Sequence, residues 1–446
     1  MSTSRMKTIL TYVGPAALAN TFVFLLTIID AIFAGNGIGT DALGAFNIVM
    51  PFVTIAYSLE MLPCMGGVTI AAVCLGREDK EGANQAFMHS VTANFTIAVV
   101  ITLLGMVFTE PLCRALGADG VYLPMVKDYI FYWSLFAIPN ALSVIFQFFC
   151  RNDGAPVLVG AATTVSTVLN IFLAWLFVFP LGWGMMGSAL AAGISQVFIC
   201  LFLLPHFLRK KGDMFFRRFK PDTKLFREVV FRGLPATIAQ FSTAVTTICM
   251  NHVLIANIGA IAVNSFSIMS YIASFTMSIM YGASDGLQPL FGQSYGAKEE
   301  KELKFYMRSG ILINVIGSTA IILIMLLFSQ PLCVMFGADA DTLAFTVKHM
   351  PQYAWGFVIA GVNTLISAYL YSTERSGHAI VMNVLSSFVV NILITLGLPA
   401  IFGGDIVWYT FGIYEVILLV IGYALMKHSE RNGIVYKEDV LEHDLN

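Results

Sequence analysis

Four carboxylic acids stand inside stretches of sequence that are otherwise apolar: Asp30, Glu60, Asp285 and Glu415. Taking an ionised carboxylate out of water is costly, so such a group faces a cavity, a partner or a path. There it can carry a proton, attract a cation or tie one helix to another. Small polar residues recur nearby at the spacing of one helix face. One stripe is Thr163, Ser166, Thr167 and Asn170, and a second is Gln240, Thr243, Thr247 and Asn251. A third, Ser267, Ser270, Ser274 and Ser278, leads on to Asp285, and a fourth is Asn383, Ser387 and Asn391. Such stripes glue helices together or line a hydrated path. Four of them favour a path, with Gln240, Thr247, Asn251, Ser274, Ser278, Asp285 and Asn391 as its candidate lining. Glu60 is off the face that carries Asn47, Thr54 and Ser58, so it is a secondary candidate whose other use is packing. Met250, Met269, Met277 and Met280 suit either a soft pocket or ordinary core contact.

Covalent chemistry lacks its residues. A membrane-embedded enzyme would need GxSxG with a histidine, or paired aspartates on facing helices. Neither pattern is found, His252 and His378 are isolated, and no catalytic residue is assigned. Five of the seven cysteines (Cys64, Cys74, Cys150, Cys200, Cys249) lie in apolar runs as small buried hydrophobes, and Cys113 and Cys333 sit at matching places in the two halves. No CxxC or paired-histidine spacing suggests a metal, and no cofactor or nucleic-acid partner is expected.

The elements that must position these residues follow from composition. The 446 residues are 57% hydrophobic and 12% charged, against about 25% charged in a soluble domain. A helix crossing a bilayer needs roughly 20 apolar residues. Spans are expected near 9–34, 42–75, 86–108, 125–149, 156–179 and 187–208, then 226–256, 261–294, 306–328, 345–371, 379–402 and 406–427. The first is too long for the core of a signal peptide and reads as a retained span. Placing the N-terminus in the cytoplasm puts all of the 25 Lys and Arg on the inner side except Arg114, Lys127 and Lys348. That asymmetry predicts twelve spans with both ends inside. Asp30 then falls in the outer half of its span and Asp285 near the inner third of its own. The stretch 207–232 is a basic linker on the inner face, with lipid head-group sensing through Phe215, Phe216 and the nearby arginines as its other use.

The chain is also a repeat. A shift of 220 residues brings Pro15-Ala16 onto Pro235-Ala236, Gly76 onto Gly296 and Pro111-Leu112-Cys113 onto Pro331-Leu332-Cys333. With a slip of one residue, Asn170 meets Asn391. Each repeat holds six spans, so both halves enter the membrane in the same sense, as parallel repeats do. The expected fold is an all-α polytopic membrane protein of twelve helices. It comprises a six-helix lobe (1–206), the basic linker (207–232) and a second six-helix lobe with a short tail (233–446). Two such lobes facing a central cavity would move by rocking.

The segments GPAALANTFVFLLTIIDAIFAGNGIGTDALGAF, RNDGAPVLVGAATTVSTVLNIF, GSALAAGISQ and DGLQPLFGQSYGAKEE, in their order and duplication, resemble the multidrug and toxic compound extrusion (MATE) transporters along nearly the whole chain. The resemblance implies a cation-coupled antiporter in the cell membrane that expels small amphipathic, often cationic, compounds by alternating access. It implies that Asp30 is the coupling carboxyl, that Pro15 lets the first helix bend, and that Asn170 is the amide of the cation site. Two departures stand out. Many members place a second aspartate four residues after that asparagine, where this chain has Ala174, and a sixth-helix threonine is replaced by Ala192. Hard cations need several oxygen ligands, so the departures favour protons over sodium. The main alternative is a flippase for lipid-linked sugars of the same superfamily. Those relatives resemble fourteen-span proteins with cationic cavities, whereas no Lys or Arg lies inside a span core here. The chain is expected to act as a monomer among membrane lipids.

Overall fold

A bilayer offers no water to backbone N–H and C=O groups, so each apolar run closes its hydrogen bonds within itself as a helix. The computed structural model describes residues 2–33, 37–38, 40–116, 118, 122–335 and 340–430. The first six-helix repeat opens with α1 (Ser2–Phe33), α2 (Thr40–Gly76), α3 (Lys80–Val107) and the short α4 (Thr109–Ala115). Helices α5 (Tyr122–Leu135) and α6 (Ala137–Asn152) form one span bent by 55°, followed by α7 (Pro156–Val178) and α8 (Gly184–Leu208). The second repeat has α9 (Thr223–Asn257), α10 (Ala260–Gly296), α11 (Glu300–Leu327) and the short α12 (Ser329–Met335). It continues with α13 (Ala340–Ala354) and α14 (Gly356–Ser372), then α15 (Ser376–Val384), a π-helical stretch Leu385–Val390, α16 (Asn391–Phe402) and α17 (Val407–Glu430). Among the described residues these helices make twelve spans in two lobes.

The duplication is visible element by element. Thr40 and Gly76 bound α2 as Ala260 and Gly296 bound α10, and Lys80 and Val107 bound α3 as Glu300 and Leu327 bound α11. Left-handed turn residues recur at the same offset: Glu78 (φ 62°) with Lys298 (φ 59°), and Gly154 (φ 82°) with Glu374 (φ 60°). The one-residue slip between Asn170 and Asn391 has a structural cause. Up to Asn383 the fifth and eleventh spans keep the common offset, and the π-helical stretch Leu385–Val390 then intervenes. A π turn accommodates one extra residue. It returns Asn391 to the face that Asn170 occupies in the first repeat.

The chain divides into two compact units, Met1–Ala71 with Lys80–Thr237, and Ala72–Asp79 with Ile238–Asn446. Two helices are therefore shared: α2 changes unit after Ala71 and α9 after Thr237. Each crossing rests on glycines where no side chain fits. Within the first unit, a Cβ on Gly66 would collide with the carbonyl oxygen of Val229, and one on Gly233 with that of Leu62. Within the second, a Cβ on Gly76 would collide with the carbonyl of Gln293, and one on Gly296 with that of Val73.

The basic segment 207–232 lies in the first unit, strapped to the ends of its helices. Asn84 Oδ1 accepts the Phe215 N–H, His89 Nε2 accepts the Asp222 N–H and Asp153 Oδ1 accepts the Asp213 N–H, each at 2.8 Å. Asp153 Oδ2 also pairs with His206 Nε2 at 2.8 Å, and both side chains are buried. Lys80 binds Asp213 at 2.7 Å and Arg217 binds Glu81. Phe216 packs among Phe87, Phe146 and Phe207. That ring completes an aromatic cluster of the protein, and Phe215 lies under the Lys210 ammonium at 4.7 Å. At the other end of the lobe Glu110 binds both Arg114 (3.1 Å) and Lys127 (3.4 Å). Those two cations hold its carboxyl below the usual carboxylate range, Arg114 contributing most. Cys113 and Cys333 occupy equivalent buried places in α4 and α12.

Candidate coupling site and polar seams

Helix α7 starts on Pro156, whose fixed φ suits the first helical position. It packs between α1 and α8. Pro15 lies inside α1 and would clash with a bulkier neighbour, but the residue opposite is Gly160, where an added Cβ would stand 2.7 Å from the Pro15 Cβ. Further along, Phe33 meets Phe179 edge-on at 5.5 Å. The two contacts make α1 and α7 parallel and set their register. Counting from either end, Asp30 stands level with Trp175 and Leu176. Asn170 lies about one and a half turns, ~8 Å along the axis, toward the Pro15 end. Asn170 (3% exposed) and Ala174 (1%) share the buried face of α7. Among the described residues, Asn170 Oδ1 is buried with no hydrogen-bond partner. Asp30 is partly buried, and the buried phenol of Tyr129 on α5 is within reach of its charge. A carboxyl and a phenol thus lie within reach of one another, and α7 beside them carries a buried amide with a spare acceptor.

Beyond that site, side chains stitch the fourth, fifth and sixth spans of each lobe in matching ways. In the first lobe Thr163 donates to Gln147 Oε1 at 3.1 Å, linking α7 to α6. In the second, Ser367 donates to Asn383 Oδ1 at 3.0 Å, linking α14 to α15 at the equivalent positions. Ser143 donates to Gln196 Oε1 at 2.6 Å, linking α6 to α8. Its counterpart is Asn363 Nδ2, which donates to Glu415 Oε2 at 2.7 Å and links α14 to α17. Ser166 adds a bond to the Ser195 carbonyl at 2.8 Å. Glu60 is fully buried on α2, and Asn140 Nδ2 of α6 donates to its Oε2 at 2.8 Å.

The other residues singled out from sequence distribute as follows. Gln240, Thr247 and Asn251 belong to α9, but their side chains lie outside the described residues. The hydroxyls of Ser274 and Ser278 turn back onto carbonyls of their own helix, Ser270 O and Phe275 O, both at 2.8 Å. Asp285 is partly buried and its charge reaches Tyr371. Asn391 is fully buried and accepts a hydrogen bond from Thr395 at 3.0 Å. Met250 and Met269 are in the core of the second lobe, with Met277 packed against it. Tyr129, Asn140, Gln147, Gln196 and Asn363 were not singled out. Gln147 and Gln196 interrupt apolar runs and could have been marked as polar intruders. Nothing in the sequence pairs Tyr129 with Asp30.

Two parallel six-helix repeats with buried polar seams make up a duplicated polytopic membrane fold. The chain belongs to the MatE family, whose model matches residues 15–176 and again 235–396. The two matches begin and end at the repeat offset seen in the helices. It is 24% identical over 397 residues to the multidrug export protein MepA of Staphylococcus saprophyticus, covering 88% of this chain and 87% of that one. It shares its fold with a multidrug resistance MATE transporter of the MOP superfamily in an outward-facing conformation (TM-score 0.90, 20% identity, 96% of each chain). A MATE structure in the straight conformation matches with TM-score 0.90 at 19% identity, again over 96% of each chain.

Proposed function

We propose that the chain is a proton-coupled antiporter that exports amphipathic, often cationic, compounds by alternating access, with Asp30 as coupling carboxyl and Asn170 as its amide neighbour. The observation that carries this reading is the setting of Asp30, a partly buried carboxyl within a span with the buried phenol of Tyr129 in reach of its charge. Asn170 supplies one spare oxygen, while positions 174 and 192 supply none. A proton needs no cage. The polar stripes of α9 and α10, with Asp285 and Asn391, form the substrate path, and Glu60 is the secondary carboxylate. The similarity to MepA supports drugs or other toxic compounds as cargo. The lobes 1–206 and 233–446 move against each other, and Pro15 lets α1 bend as they do. The protein works as a monomer in the cell membrane with both ends and the 207–232 linker in the cytoplasm.

The test is transport in proteoliposomes with pH and sodium gradients imposed separately and a panel of fluorescent cations. A pH gradient alone should drive uptake against the cation's gradient, and a requirement for sodium would overturn the proton assignment. In the same assay Ala174→Asp should increase any sodium dependence, because it returns one hard oxygen beside Asp30 and Asn170. Unchanged sodium response in that variant would show that position 174 does not face the site.

Topology is checked independently. Single cysteines placed in 207–232 should react with an impermeant maleimide only after the membrane is opened, because the basic residues fix the inner side. Labelling on intact cells would exclude the twelve-span orientation. Asp285→Asn should weaken export of cationic dyes more than of neutral ones, since a carboxylate in a low-dielectric cavity attracts a cation more strongly than in water. Equal loss for both dye classes would instead assign Asp285 to structure.

A further inference from the structure

The sixth span of each lobe carries the same tetrapeptide frame, Gly193-Ile194-Ser195-Gln196 in α8 and Gly412-Ile413-Tyr414-Glu415 in α17. Both glycines do the same work. A Cβ on Gly193 would run into the Phe136 ring at the head of α6, and one on Gly412 into the Trp355 ring at the head of α14. Gln196 and Glu415, three residues on, are therefore structural equivalents. Each reaches the fourth span of its own lobe, Gln196 to Ser143 and Glu415 to Asn363. The seam itself needs only a neutral amide, as the first lobe demonstrates. The second lobe has replaced that amide by its acidic isostere and buried it, with Glu415 8% exposed and Asn363 6%.

The hydrogen bonding around Glu415 is half complete. Asn363 Nδ2 donates to Glu415 Oε2 at 2.7 Å and to the Glu415 carbonyl at 2.9 Å, and Tyr414 also bonds the carboxyl. The other end of the amide, Asn363 Oδ1, is buried without a hydrogen-bond partner. A carboxylate has no donor to offer it, whereas a protonated carboxyl does. A buried amide oxygen left unpaired beside an acid is thus a place for a proton. The facing groups do not supply a counter-charge. Tyr353 of α13 and Tyr414 are the titratable side chains facing Glu415, while His349 stacks on Trp408, and Asp405, His378 and His428 lie toward the two ends of α17. Among the described residues no Lys or Arg pairs with Glu415.

We propose that the Glu415–Asn363 pair of the second lobe is a proton-binding site, separate from Asp30, which takes up and releases a proton between Glu415 and solvent while the seam between α14 and α17 stays closed. The inference goes beyond the coupling role of Asp30 and does not depend on it.

Infrared difference spectroscopy of the full-length purified protein tests it, taking acidic minus alkaline buffer and reading the carbonyl stretch of protonated carboxyls. The parent should show a band that titrates and is lost in Glu415→Gln. That variant should fold, because Gln196 holds the equivalent seam in the first lobe. Asn363→Leu should shift the same band, since it removes both the donor and the spare acceptor. Asp30→Asn should leave it in place. A band that persists in Glu415→Gln, or one assigned to Glu415 that never changes with pH, overturns the proposal. The readout requires no transport, so its failure is distinct from failure of the Asp30 reading.

Discussion

Asp30→Asn protein should insert, bind fluorescent cations with near-parental affinity, and fail to export them on a pH gradient. Asparagine has the shape of the protonated acid but can neither lose a proton nor gain a charge. On the proposed coupling role the parent would alternate between two states at this position, and the variant would be held near one of them. In the ionised state the charge of Asp30 reaches Tyr129 of α5, while Asn170 of α7 keeps an acceptor unpaired. A change of charge there can bias α1, which carries Pro15 inside it and rests on Gly160. Gradient-driven dye uptake should fall to that of protein-free liposomes, while downhill exchange of bound dye survives. Accumulation equal to the parent's would remove Asp30 from the coupling role, and Glu60, held by Asn140, would be tested next.

The second large effect concerns the glycine crossings. Gly76→Val and Gly296→Val should each destabilise the protein by about 3 kcal/mol or more, the scale of a forced overpacking. In both cases the new side chain would start inside the carbonyl of the facing helix, Gln293 O for residue 76 and Val73 O for residue 296. Backbone cannot rotate out of the way as a side chain can. Thermal unfolding of the purified proteins should show lowered midpoints and reduced yield of monodisperse material. Gly397→Ala serves as the control, because a Cβ there meets nothing within 4 Å. Parental midpoints for the valine variants would mean that the helices separate freely at this crossing.

Much of this architecture was legible beforehand, for definite physical reasons. Lipid demands long apolar helices, so the spans declared themselves, and duplication left its offset in paired motifs such as Pro111-Leu112-Cys113 and Pro331-Leu332-Cys333. The one-residue slip at Asn391 was readable as a number but not as a π-helical stretch, because helix type depends on backbone bonding that side-chain spacing does not encode. The bend between α5 and α6 was hidden too, since the apolar composition of a span is the same straight or bent. Site residues divided along similar lines. A carboxylate in a span is conspicuous by its cost, which is why Asp30, Glu60, Asp285 and Glu415 stood out. Asn140 and Asn363, the hydrogen-bond partners of Glu60 and Glu415, did not, because pairing is set by how helices approach one another in space. The strap 207–232 shows the same limit. Its basic character was plain, but the bonds from its backbone to Asn84, His89 and Asp153 join residues far apart in sequence.

The measurement closest to the central claim is proton release on substrate binding. A cationic dye is added to the purified protein in weakly buffered detergent solution, and the pH of the medium is followed. Cargo and proton exclude one another if Asp30 couples them, so the parent should acidify the medium as the dye binds. Asp30→Asn should bind the dye with a clearly smaller acid step. The same acid step from both proteins, or dye binding by the parent with no acid step, would contradict proton exchange at Asp30.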